Sequence, residues 1–287
     1  MSTNNVYLRA MESWTDMYAV EALQGDIWGY GQPGAGYPYP ARALFEFAES
    51  GGLIGGAYLE GQLIGLSVAW LGKVKSAKTD YLHSQIVGVL EEHRSLGVGA
   101  LLKTQQMEFA KQNTIELIRW TFDPIKTRNA NLNIRKLRGI VRTYLPNYYE
   151  TLAGTQNKGL PTDRFLVEWY VGSDRVNNSS KEIPISEIRP INKVEVDSIG
   201  NKILTSFDLN LKETDLLFEV PLNLERIVGL PYGFPVAERW QSGVRETFSH
   251  YFSQDYIIED FFIIGEKRNK QAFYKLVNSD LSKIIGG

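Results

Sequence analysis

Arg94-Ser95-Leu96-Gly97-Val98-Gly99-Ala100 is the stretch on which the reading of this chain turns. Residues 81–90 before it form a strand-like run. After it, Leu101, Leu102, Met107, Phe109 and Ala110 recur at the spacing of an amphipathic helix that ends near Asn113. A strand, a tight glycine loop and a helix thus follow one another. The start of a helix leaves backbone N–H groups unpaired and carries partial positive charge, so it suits a pyrophosphate. Glycines at 97 and 99 let the backbone approach phosphate oxygens with no side chain between. The same residues also suit a strand-to-helix turn that binds nothing, and Gly-x-Gly alone does not separate the two.

Two nucleotide motifs fail on particular residues. The dinucleotide fingerprint wants a small residue where Leu102 stands, and Gly72-Lys73-Val74 lacks the hydroxyl of a Walker A loop.

Working outward, residues 6–10 read as a strand and Trp14, Met17, Tyr18, Val20, Glu21 and Ile27 as a helix. Residues 29–40 are rich in glycine and proline and form a loop, and a second helix starts after Pro40. Residues 53–59 and 63–71 are two strands joined by Glu60-Gly61-Gln62 as a hairpin. Beyond the glycine loop come strands at 115–122, 139–144 and 165–171, with a helix at 129–137. Residues 173–184, rich in Ser, Asn and charge, read as a linker. The remainder reads as a strand (216–220), a helix (235–252) and two strands (256–264, 272–277), with Trp240, Val244, Phe248, Tyr251 and Phe252 as a core stripe.

With 287 residues, 43% hydrophobic and 22% charged, the chain has the profile of a folded protein of one large domain plus a smaller one. A net charge of −2 supplies no electrostatic footprint for nucleic acid. Cysteine is absent, which excludes disulfides and thiolate chemistry, and His83, His93 and His250 are too scattered for a metal cluster. No window is long and apolar enough to span a bilayer and the N-terminus lacks a signal-peptide pattern, so the expectation is a cytoplasmic protein without a membrane partner.

Arg94, Gly97 and Gly99 occupy the three defining places of the coenzyme A signature Gln/Arg-x-x-Gly-x-Gly/Ala, and over residues 6–171 the chain resembles the GNAT N-acyltransferase superfamily. Trp120 to Pro124, Tyr144 to Tyr149, Pro161 to Arg164 and Trp240 to Phe252 resemble a branch of it with an added C-terminal domain. The resemblance implies an α/β (α+β) fold with a central mixed, mostly antiparallel sheet flanked by helices. It assigns residues 1–172 to an acyl-CoA-binding domain and 185–287 to a smaller C-terminal α/β domain that shapes the acceptor site. It implies acetyl-CoA or another short acyl-CoA as co-substrate, with no metal, and an amine of a small molecule or amino acid as acceptor. A coenzyme A-binding sensor without catalysis and a protein-lysine acetyltransferase are the alternatives, and a homo-oligomer is left open.

The expected cofactor contacts are Val87, Gly88 and Val89 on the strand, Arg94, Ser95, Leu96, Gly97, Val98, Gly99 and Ala100 in the loop, and Asn129. Acyl transfer to an amine needs a base, an oxyanion donor and an acid for the thiolate. His83, on the same strand as Val89, titrates in the useful range, although it also suits a structural role beside Tyr81 and Gln85. Asp123 ends the next strand and is equally suited to a turn before Pro124. The family's acid is a tyrosine whose slot here holds Ile134 or Arg135, so Tyr144 and Tyr148 are the substitutes. Arg164, able to grip a carboxylate or to pair with Asp163 or Glu168, and Tyr149 are the expected acceptor contacts.

Overall fold

The structure, a computed structural model, describes residues 5–30, 36–74, 79–149, 159–178, 185–266 and 269–286. The chain forms two compact units that divide between Trp120 and Thr121.

In the first unit, β1 (Val6–Ala10) leads into α1 (Trp14–Trp28) and α2 (Ala41–Glu49). The strands β2 (Leu53–Leu59), β3 (Gln62–Lys73) and β4 (Asp80–Val89) follow as a meander. A 3₁₀ turn, Glu91–Leu96, then opens onto α3 (Val98–Gln112) and the start of β5 (Leu117–Phe122). The sheet runs β1-β2-β3-β4-β5, antiparallel up to β4 and parallel between β4 and β5. Ser13 and Asp16 start α1 through a reciprocal capping box. Glu60 and Gly61, both with positive φ, turn the β2–β3 hairpin as the strand twist requires. Met17, Val20, Leu23 and Leu44 pack on one face of the sheet against Ile54, Leu66 and Val68. Val98 and Leu102 of α3 join a second cluster with Ala57, Ile64 and Val89.

The second unit starts with the last residues of β5, then α4 (Thr127–Ala130), which continues as a π turn over Asn131–Lys136. Next come β6 (Ile140–Leu145), β7 (Arg164–Tyr170), α5 (Asp174–Asn177), β8 (Arg189–Pro190), β9 (Asn192–Val196) and β10 (Lys202–Phe207). They are followed by β11 (Asp215–Val220), α6 (Leu224–Val228), α7 (Gly233–Phe252), β12 (Tyr256–Ile264), β13 (Gln271–Asn278) and α8 (Leu281–Ile285). Its strands run β7-β6-β12-β13-β11-β8, antiparallel except for β11–β8, and β9–β10 is a separate hairpin.

The units do not coincide with the division expected at residues 172–185. Ile258 of β12 pairs with Val141 of β6, so the β6–β7 pair belongs with the C-terminal strands. The stripe on α7 is core as expected: Trp240, Val244, Phe248 and Tyr251 are fully buried. Phe165 gathers Phe122, Tyr144, Phe248 and Tyr274 edge-to-face around it. The helix expected at 129–137 starts two residues earlier and widens into the π turn. Strands β8 to β10 were not read from the sequence, although Asn192-Lys193-Val194-Glu195-Val196 alternates charge with valine as a half-exposed strand does. Of the expected linker, Asp174–Asn177 is a helical turn and residues 179–184 lie outside the described residues.

Candidate functional site

The expected cofactor loop has the geometry its residues demand. Gly97 takes the left-handed conformation (φ 72°) that breaks the 3₁₀ turn and starts α3, a backbone that favours glycine. Its carbonyl accepts from Ala100 N at 2.9 Å, closing the first turn of the helix. Gly99 is different: a Cβ added there would meet nothing within 4 Å. A glycine at a helical position costs about 1 kcal/mol relative to alanine, and here no close contact requires it. Val98, one of the expected contacts, turns its side chain into the core, so only its backbone serves the loop. Arg94 donates from Nε to the carbonyl of Val89 at 3.2 Å, which ties the loop to the end of β4. Nothing is described of the Ser95 side chain. Gly88 has its own reason, since a Cβ there would collide with the ring of Trp28.

The strand leading into the loop is open along one edge. On the β3 side, β4 is paired through to Gly65↔Val89, with Gln85 as the extra residue of a bulge. On the β5 side it pairs only at Leu82↔Ile118 and His83↔Arg119. From Ser84 onward the two strands diverge. At about 3.3 Å per residue the fork from Ser84 to Val89 is about 16 Å deep, with the glycine loop at its mouth and the edge of Val87, Gly88 and Val89 along its wall.

His83 stands at the last paired step before the fork. Its ring lies 5.1 Å from that of Trp70, and its Nε2 is 2.8 Å from Gln85 Oε1. Gln85 Nε2 donates to the Tyr39 hydroxyl at 2.8 Å, and the Tyr39 backbone is in turn clamped by Gln24. Nε2 is thus the ring nitrogen that meets Gln85, while Nδ1 is the one the base role would use. Burial lowers the imidazole's pKa, the Gln85 bond opposes that, and the charges of Lys103 and Arg119 add to the lowering. The histidine is therefore held by a hydrogen bond to Gln85, and its burial favours the neutral ring.

Lys103, on the inner face of α3, did not figure among the candidates. It is 4% exposed, donates from Nζ to Ser84 Oγ at 2.7 Å, and sits 3.5 Å from the centre of the Trp120 ring. The signal was present: a lysine one turn beyond Gly99, in a helix whose neighbours Leu102, Gln106, Met107 and Ala110 are buried.

The other candidates belong to the second unit and form a network of their own. Asp123 Oδ1 accepts from Ile125 N at 3.0 Å, the turn role expected of it. Burial nevertheless raises its pKa, with Ile125 N, Arg164 and Lys126 opposing. Tyr144 donates to Asp163 Oδ2 at 2.6 Å, and burial together with that carboxylate pushes the hydroxyl's pKa up, which makes it a poor proton donor. Asp163 also accepts from Arg245 Nε at 2.9 Å, Arg245 Nη2 at 2.6 Å and Asn147 N at 2.8 Å. The salt bridges considered for Arg164 are thus taken, Asp163 by Arg245 and Glu168 by Arg142. Arg164 instead bonds the Asp163 carbonyl at 2.7 Å and lies over the Tyr149 ring. The Tyr149 hydroxyl is 3.0 Å from Thr121 Oγ1, while Tyr148, half exposed, packs edge-on to Tyr149. Asn129 is exposed on α4. Ile134 is fully buried and Arg135 pairs with Asp260 at 2.8 Å, so neither offers an acid in the tyrosine slot.

Among the described residues, no helix is long and apolar enough to cross a membrane, and no group of three or more His, Asp or Glu is placed to hold a metal ion.

No known family profile matches the chain, and no curated protein matches it. Among solved structures it is similar to an N-acetyltransferase from Staphylococcus aureus Mu50, with 16% identity and a TM-score of 0.46, over 58% of this chain and 99% of that one. It is also similar to a GNAT family acetyltransferase from Elizabethkingia anophelis with acetyl-CoA bound, with 15% identity and a TM-score of 0.44, over 58% of this chain and 99% of that one. The ribosomal-protein-S18-alanine N-acetyltransferase from Escherichia coli aligns over 62% of this chain and 97% of its own, with 13% identity and a TM-score of 0.43.

Proposed function

We propose that this chain is an acyl-CoA-dependent N-acyltransferase that moves a short acyl group onto an amine of a small molecule or amino acid. The observation that carries the reading is the fork between β4 and β5 with Gly97 and Gly99 at its mouth. The pyrophosphate would rest on the N–H groups that open α3, and the pantetheine arm would pair with the open edge of Val87, Gly88 and Val89. An N–H of that edge would meet the oxyanion. His83 is the base in this reading, acting through Nδ1, with Asp123 as the alternative. The thiolate is a stable anion near neutral pH, so bulk water or the exposed Tyr148 would suffice in place of the family's acid. Arg164 would hold a carboxylate of an amino acid acceptor.

The buried Ile134 and the paired Arg135 in the acid's slot favour a second reading, a sensor that binds coenzyme A without transfer. Thiol release from acetyl-CoA across a panel of small amines and amino acids separates the two. Release that depends on one amine supports the transferase. Tight coenzyme binding with no release from any amine supports the sensor.

A further inference from the structure

Lys103 has an unusual situation. Its amino group lies just beyond the last β4–β5 pair, His83↔Arg119, with Ser84 Oγ at 2.7 Å and the Trp120 ring centre at 3.5 Å. It therefore stands at the closed end of the fork, toward which an arm lying along the fork would point. No carboxylate pairs with it among the described residues. An unpaired buried ammonium costs several kcal/mol, and burial accordingly pulls the group's pKa well below that of an ordinary lysine. One turn further along the same inner face, Gln106 is fully buried and both atoms of its side-chain amide lack a hydrogen-bond partner.

We infer that Lys103 is an internal acyl acceptor: with acyl-CoA bound and no amine present, it takes the acyl group itself. The inference rests on the function proposed above. The neutral Nζ attacks the thioester carbonyl carbon. The C–N bond forms and the C–S bond breaks, the electron pair leaves on sulfur, and the proton lost from nitrogen goes to the thiolate, giving Nε-acyl-lysine and free coenzyme A thiol. The product can no longer take up the charge that burial disfavours, and it keeps an N–H for Ser84. It also brings a carbonyl oxygen to the face on which the Gln106 amide lacks a partner. In this inference the thioester has to reach the buried amine along the fork rather than through solvent.

The test uses the wild-type chain incubated with acetyl-CoA in the absence of amine. Intact mass and peptide mapping are read before and after, and calorimetry on the same preparation reports coenzyme binding. The expected result is the gain of one acetyl group per chain, mapped to Lys103, with an equal release of thiol and no such gain in Lys103→Arg. Binding without modification overturns the inference and leaves the transferase reading standing, as does modification that favours exposed lysines such as Lys111. Absence of binding overturns both.

Discussion

Two glycines stand at the starts of two long helices, one in each unit, and they do so for opposite reasons. At Gly233, the first residue of α7, an added Cβ would run into the carbonyl of Ile227, so the glycine is there to let two segments of backbone meet. At Gly99, in the first turn of α3, an added Cβ would meet nothing. In sequence both are glycines of a turn-like stretch before an amphipathic helix. What separates them is whether the space beside the backbone is already filled. A glycine crowded by the protein's own backbone is a packing device, whereas for one facing open space at a helix start packing gives no reason, and the proposed function supplies one.

The largest expected effect follows from the crowded member of the pair. Gly233→Ala should cost more than about 4 kcal/mol, because a backbone oxygen cannot step aside as a side chain can. Urea denaturation checks this, and a midpoint equal to wild type would remove the contrast between the two helix starts. At the open site, His83→Ala should lower turnover about a hundredfold, at the low end of what general-base removal costs. The acid limb of the wild-type profile should lie below the ordinary histidine value of about 6.5, since burial favours the neutral ring. An unchanged profile in His83→Ala would pass the role to Asp123.

Asp163 probes the structural side again. Burial pushes its pKa up, but Arg245, Tyr144 and the Asn147 N–H outweigh that and hold it below the usual carboxylate value. Its contribution is complete above the unfolded value of about 3.9 and is lost as the pH falls through the lower folded value. Asp163→Ala should cost about 2 kcal/mol near neutral pH, because Arg245 is partly exposed and can regain water. Equal urea midpoints for the variant and wild type at pH 7 would contradict this. The smallest effect belongs to Gly99→Ala, which should gain up to about 1 kcal/mol from helix propensity alone. A loss of stability there would mean that the site is not open.

Periodicity was enough for α1 to α3 and for α7, whose stripe from Trp240 to Tyr251 is an example, while the meander was legible from continuous apolar runs around the Glu60-Gly61-Gln62 turn. The glycine turn into α3 was legible because glycine spacing and helix spacing adjoin at Val98. The fork was not, since nothing in residues 84–89 or 117–120 says where pairing stops. Lys103 was passed over because a lysine in an amphipathic helix usually faces water. The commitment of Tyr144 to Asp163 and Arg245 depends on residues 19 and 82 positions away from Asp163, a separation at which local pattern carries no information.

Calorimetric titration of coenzyme A into the wild-type chain and into Gly99→Asp tests the central claim most directly. The account predicts binding by the wild type, and an affinity lowered at least about tenfold in a variant that unfolds at the same urea concentration, because a carboxylate would then stand where the pyrophosphate rests. No binding by the wild type, or equal binding by a folded Gly99→Asp, would contradict it.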